Sequence, residues 1–293
     1  MTSPTGVLNI DKPQGITSHD VVARVRRLTG IRRVGHAGTL DPLATGVLLV
    51  CVGPATRFIE YLQQGKKIYE TTIRLGEETD TYDAEGRVVA TAPVPDFSVE
   101  ELERTLDAFR GEIMQTPPMY SAIKQGGKPL YQLARAGKEV ERPPRPVTIY
   151  DITILQWRNP DLTLRITTSP GVYIRSIAHD LGQALGVGGH VRALRRIASG
   201  AFRVEDAVTL TALEAAGKDW PRYLHGLRGA LSMLPPIILT AEQARRFRHG
   251  QRIPLEKIPQ HSSDLRVLGP HEQFLGVGRV KNHILIPYKV LPN

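Results

Sequence analysis

The run GVLLVCVG at residues 46–53 does most to restrict the fold: β-branched and without a charge, it reads as a buried strand, so the loop leading into it sits against the core. Around it, short segments of opposite periodicity alternate. GVLNIDKP at 6–13 is a short alternating strand closed by Pro13 and Gly15, followed by a cap-like Thr17-Ser18 and a helical stretch, HDVVARVRRLTG, that Gly30 stops. A Gly-rich loop, Gly35 to Thr39, leads through Asp41-Pro42 into the buried strand. KIYETTIRLGEETDTYDAEGRVVA alternates like strands around a turn, and SVEELERTLDAFRGEI has the spacing of a surface helix. TIYDITILQW and LTLRITT read as strands, VYIRSIAHDLGQALG as a helix, and HVRALRRIASGAF as a second helix ending at Gly200.

Length and charge narrow the function. With 293 residues the chain can build one large domain or two modest ones, and 41% apolar with 23% charged residues is a globular composition. Lys and Arg number 38 against 29 Asp and Glu, a net +9 that favours polyanionic partners, nucleic acid first. The start, MTSPTGVLNIDKPQG, lacks a basic segment followed by an apolar one, and no apolar run approaches about 18 residues, so neither secretion nor membrane spanning is expected. The single cysteine, Cys51, excludes an internal disulfide and Cys-rich metal sites and fits a reducing cytoplasm.

Two regions concentrate the basic charge. Residues 115–147 carry six prolines and little periodicity, which reads as a long excursion holding one short helix. There Lys124, Lys128, Arg135, Lys138, Arg142 and Arg145 oppose only Glu139 and Glu141, with Tyr120 and Tyr131 interleaved, a mix suited to RNA as well as to an ordinary solvated loop. Leu234-Pro235-Pro236 marks a boundary, and the tail beyond it carries nine basic and four acidic side chains. It reads as a helix, LTAEQARRFRHG, then short strands around RVLG, FLGVGRV and ILIPYKVL. Arg192, Arg195 and Arg196, at i, i+3, i+4, share one face of the expected second helix, either solvated or on phosphate.

Common catalytic signatures are missing. GVGGHV at Gly186 lacks the third glycine of a dinucleotide loop, no GxxxxGK or HExxH occurs, and His179 and His190 read as structural. No GxSxG is present, and Ser176 falls inside a helical pattern. What remains is GHAGTLDPLATGVL, where Asp41 stands among small residues at the mouth of the buried strand, with Gly35, Gly38 and Gly46 permitting close approach and Pro42 fixing the chain. Taken alone, such an Asp-Pro is either a turn or a rigidly presented acid.

Six blocks decide the context: LNIDKPQGITSHDVV, VGHAGTLDPLATGVLLVCVGPATR, KKIYETTIRLGEETDTYDAEG, QTPPMYSAIKQGGKPLYQLARAG, GVYIRSIAHDLGQALGVGGHVRALRRIASGAF and the C-terminal tail. In this order the chain resembles the bacterial tRNA pseudouridine-55 synthases, the TruB family, over nearly its whole length. The resemblance implies an α+β fold with a large mixed, mainly antiparallel sheet flanked by helices, a catalytic domain at 1–235 with an RNA-binding insertion at 115–147, and a small β, PUA-like domain at 236–293. It implies isomerisation of uridine in the tRNA T-loop, no metal or cofactor, no guide RNA or obligatory protein partner, and a monomer.

By motif match, the resemblance makes Asp41 the nucleophile, Tyr69 the aromatic that stacks on the extruded uracil, and Arg175 the guanidinium that pairs with the aspartate. His36 matches the histidine that enters the RNA loop. Lys12, with Pro13, matches the KP motif beside the site, Tyr173 and Leu194 match residues around the uracil, and Asp83 matches a nearby acid. A carboxylate can trap an electron-poor sugar carbon or add to C6 of uracil, and both routes stay open. TTSPGVYIRS and GVGGHVRALRR depart locally from the family pattern but leave Tyr173 and Arg175 in place. Competing readings are a non-catalytic RNA-binding protein and an RNA-guided synthase subunit; the Asp41, Tyr69 and Arg175 set counts against the first, and the basic insertion with the short tail against the second.

Overall fold

A computed structural model of the chain describes residues 4–121, 123–137, 140–255 and 264–292, and for residues 124, 125, 129, 131 and 135 the backbone alone. The expected mixed, mainly antiparallel sheet flanked by helices is present. The chain divides into two compact units, one formed by Met1–Asp41, Gly46–Gly65 and Ser199–Asn293, the other by Pro42–Thr45 and Lys66–Ala198. Among the described residues no helix is long and apolar enough to cross a membrane.

In the first unit, β1 (Gly6–Lys12) is followed by α1 (Ser18–Thr29), β2 (Val34–Ala37) and β3 (Thr45–Val52). Thr17 caps α1 in a reciprocal box with Asp20, Gly30 closes it in the left-handed region at φ 68°, and Val21, Val22 and Val25 face the core. β1 lies antiparallel on β3 from Gly6 opposite Val52 to Lys12 opposite Gly46, and its Ile10 and Asp11 pair in parallel with Val208 and Thr209. The apolar run of β3 is buried from Gly46 to Val52, as its composition requires. Burial pushes the Cys51 thiol up to about 12, which leaves it inert at neutral pH. The Gly-rich stretch is not all loop: Gly35, His36 and Ala37 pair with β3, and the chain turns away only at Gly38, at φ 93°.

In the second unit, β4 (Lys67–Leu75) alternates inward and outward, with Lys67, Tyr69, Thr71, Ile73 and Leu75 buried. Short paired strands at Glu77–Thr79 and Val88–Thr91 flank the turn TDTYDAEG, as expected. α2 (Val99–Asp107) stops earlier than its pattern suggests, because Gly111 begins β5 (Gly111–Gln115). β6 (Arg145–Arg158) and β7 (Asp161–Thr168) form an antiparallel hairpin whose β7 lies against β4 from Asp161 opposite Arg74 to Thr168 opposite Lys67. α3 (Ile174–Ala184) follows, with Ile174, Arg175, Ser176, Ile177, Ala178, Leu181 and Gly182 buried.

The second helix read at 190–202 is a strand. β8 (Gly189–Ser199) neighbours β4 in the sheet, and Thr71 Oγ1 donates to Ala193 O across the pair at 2.9 Å. The helical face assigned to Arg192, Arg195 and Arg196 therefore does not exist. Arg192 is exposed and ion-paired with Asp161, Arg195 donates to Thr45 Oγ1 at 3.3 Å, and Arg196 is 1% exposed. Glycines set the approach of α3 to β8: a Cβ on Gly182 would lie 2.2 Å from the carbonyl carbon of Gly188. GVGGHV thus serves backbone packing.

The tail belongs to the first unit. α4 (Ala241–Arg248), capped by Thr240, precedes β9 (Asp264–Leu268), β10 (Phe274–Lys281) and β11 (Ile284–Val290) in a five-stranded sheet completed by Pro236–Ile238 and Ile253–Pro254. Phe247, Ile253, Leu265, Val267 and Leu285 fill its core. Val277 of β10 instead joins a cluster with Val7, Val47, Phe58 and Tyr61.

Candidate active site

Asp41 stands in the loop between β2 and β3, and the residue before it is fixed twice. Ser18 Oγ donates to Leu40 O at 3.0 Å and accepts from Leu40 N at 2.9 Å, both buried. Sequence reading gave Ser18 only a capping role; its partner lies 22 residues away, and no local pattern marks it. Gly46, at φ 95°, ends the loop on the other side. Lys12 is fully buried, and its Nζ donates to Pro13 O at 2.9 Å and Ile16 O at 2.7 Å, so the KP motif closes the turn after β1 on itself. His36, half-buried on β2, meets the exposed His19 ring edge-on with centroids 5.2 Å apart.

In the second unit, Arg175 is the centre of a buried network. Its Nη1 donates to Thr81 O at 3.2 Å and its Nη2 to Tyr120 O at 2.8 Å, while Nε lies 3.7 Å from Asp83 Oδ2. Both side chains are about 5% exposed, so the charges meet in a medium that screens them weakly. Asp83 also accepts from Thr81 Oγ1 at 2.6 Å and Glu85 N at 3.1 Å, so it is both turn former and partner of the arginine. Tyr173, just before α3, is bracketed by Gln115, which accepts from its N–H at 2.8 Å and donates to its carbonyl at 3.1 Å.

Tyr69 is 8% exposed on the inward face of β4, two residues after Lys67, and Leu194 is buried on neighbouring β8. Burial, reinforced by the Arg196 guanidinium, pushes the Lys67 ammonium down to about 8. Arg196 was expected among the RNA contacts; at 1% exposed it faces the interior instead. Of the 115–147 cations, Lys128 and Arg145 are exposed and Arg142 Nη1 donates to Pro117 O at 3.2 Å. The side chains of Lys124 and Arg135, and all of Lys138, lie outside the described residues.

The model of the TruB family pseudouridylate synthase N-terminal domain matches residues 26–174. The chain belongs to that family. Two C-terminal models follow, a tRNA pseudouridylate synthase B C-terminal domain over 175–244 and a pseudouridine synthase II TruB C-terminal region over 235–291. A tRNA pseudouridine synthase B of Ralstonia pickettii (strain 12J) is 44% identical over 299 residues, covering 98% of this chain and 94% of the relative. One from Syntrophotalea carbinolica (strain DSM 2380 / NBRC 103641 / GraBd1) is 47% identical, covering 84% and 80%. Among solved structures, a chain in a Cbf5-Nop10-Gar1 complex superposes with a TM-score of 0.78 at 27% identity, covering 99% of this chain and 86% of that one. The chain is therefore a pseudouridine synthase with the fold the sequence implied.

Proposed function

We propose that the protein converts uridine 55 in the tRNA T-loop to pseudouridine, with Asp41 as nucleophile. The observation that carries this is the doubly fixed Leu40-Asp41 loop in a chain that is 44% identical to a tRNA pseudouridine synthase B over 98% of its length. The N1–C1′ bond breaks, the uracil turns, and C5 bonds to C1′; C5 loses a proton and N1 gains one, so atoms and electrons balance without a cofactor. A carboxylate suits either attack on the sugar carbon or addition to C6. Uracil delocalises its own negative charge on leaving, so a second carboxylate acting as acid is not required.

Tyr69 offers a ring face to the extruded base, and Arg175, oriented by Asp83 and Thr81 O, supplies a fixed positive charge suited to a carboxylate partner. His36 fills the place the flipped uridine leaves, by stacking. The basic insertion and the C-terminal module bind the RNA backbone, the module toward the acceptor end. Residues 1–235 and 236–293 then divide into catalytic and RNA-binding parts.

The test is incubation of the protein with an unmodified tRNA transcript, without metal, cofactor or guide RNA, followed by pseudouridine mapping. Product at one T-loop uridine from wild type and none from Asp41→Asn supports the assignment, with tRNA affinity unchanged within a few-fold. The likeness to Cbf5 in complexes favours a second, guide-dependent reading. Product only on addition of guide RNA and partner proteins selects it, and tight binding without product in any arm refutes both.

A further inference from the structure

Arg175 and His179 lie one turn apart on α3, and both grip the segment Thr81–Asp83. Arg175 takes Thr81 O and the Asp83 carboxylate. His179 takes the residue between them, stacking face to face on the Tyr82 ring with centroids 4.0 Å apart and planes at 11°. Tyr82 is held with φ at 65°, a region that side chains other than glycine's rarely enter, and its carbonyl accepts from Val191 N at 3.0 Å. Such a conformation persists where its surroundings over-determine it, and here the stack and the β8 bond do so.

We propose that Tyr82 and His179 are positioning residues of the isomerisation. Their stack clamps the Thr81–Asp83 segment to α3, so that Asp83 and Thr81 O meet the Arg175 guanidinium in one fixed orientation. The inference rests on the reading of Arg175 as part of the catalytic site. Without the stack the segment keeps its fold through Gly86 and Asp80 but loses its registration on the helix, and Arg175 gains freedom in the plane that matters for a carboxylate partner.

The experiment measures kcat and KM on an unmodified tRNA transcript for Tyr82→Ala, His179→Ala, Tyr82→Phe, His179→Phe and Tyr82→Gly, with Arg175→Ala as control and thermal unfolding recorded for each. The alanine variants are expected to lose about three- to tenfold in kcat, the equivalent of one aromatic pair, with KM within twofold. The phenylalanine variants keep a stack and recover the rate. Tyr82→Gly removes the strained φ together with the ring; it regains stability but not kcat. Wild-type kcat in both alanine variants overturns the proposal, as does a rise in KM alone or full recovery in Tyr82→Gly. An Arg175→Ala enzyme with wild-type kcat overturns instead the reading of Arg175, whatever the stack variants do.

Discussion

Ser18→Ala isolates the fixing of Asp41. The substitution removes one hydroxyl, and with it the partner of both the N–H and the C=O of Leu40. Ser18 is 1% and Leu40 4% exposed, so water cannot replace the hydroxyl without the loop moving. A buried polar group left unsatisfied costs about 1–3 kcal/mol, and two are affected; the loop recovers part by shifting toward solvent, leaving a net loss of about 2 kcal/mol. At roughly 2–4 °C per kcal/mol for a chain of this order, Tm falls by about 4–8 °C. The shift also displaces Asp41. An error of about 1 Å in a reacting group costs up to about 100-fold, so kcat falls by about 10- to 100-fold with tRNA affinity preserved. Thermal unfolding and single-turnover pseudouridine formation measure the two effects. A lower Tm with wild-type kcat refutes the link between Ser18 and the acid; an unchanged Tm refutes the cost assigned to the two hydrogen bonds.

Gly182→Ala places a methyl 2.2 Å from the carbonyl carbon of Gly188, where backbone and not a flexible side chain must yield, so the variant loses about 3 kcal/mol or fails to accumulate as folded protein on expression. Lys67 is depressed from 10.5 to about 8 by burial and Arg196, so the unfolded chain holds more protons between those values and stability rises with pH across that window. Lys67→Met removes this rise, flattening denaturant-measured stability by up to about 1.4 kcal/mol per pH unit relative to wild type. Phosphate contacts by the basic surfaces make tRNA affinity fall by about tenfold or more between about 50 and 200 mM salt, read by filter binding; a flat response counts against the electrostatic account.

α1 was legible because its signals are local: a Thr17 cap, valines at helical spacing and Gly30 at the end. β4 was legible because its alternation runs unbroken over nine residues. β8 was not, and the cause is one inward cation. From Leu194 to Ala198 the buried positions are 194, 196 and 198, a strand period, but the middle one is Arg196. With a charge there, the apolar residues that remain visible fall at a spacing that mimics a helix. Ser18 and Gln115 are illegible for a different reason: each acts on backbone 22 or 58 residues distant, and a hydroxyl or amide carries no periodic trace of such a partner. The Asp83 partnership with Arg175 crosses a wider gap still, and only the family likeness points to that acid. Asp41 itself stood out through the small residues around it, though not through anything that distinguishes a turn from a nucleophile.

The way the C-terminal sheet is seated bears on what can be exchanged in such a chain. Phe274 meets Phe58 edge-on at 5.1 Å, Lys289 ties to Glu60 at 2.8 Å and to Arg57 O at 2.7 Å, and Val277 shares a cluster with Val7. Residues 57–61 and 274–289 are thus two halves of one lock. Replacing the tail alone with that of another chain strands the Lys289 charge and opens the apolar face at Phe58 unless residues 57–61 are exchanged with it, so the exchangeable unit is the tail together with its seat.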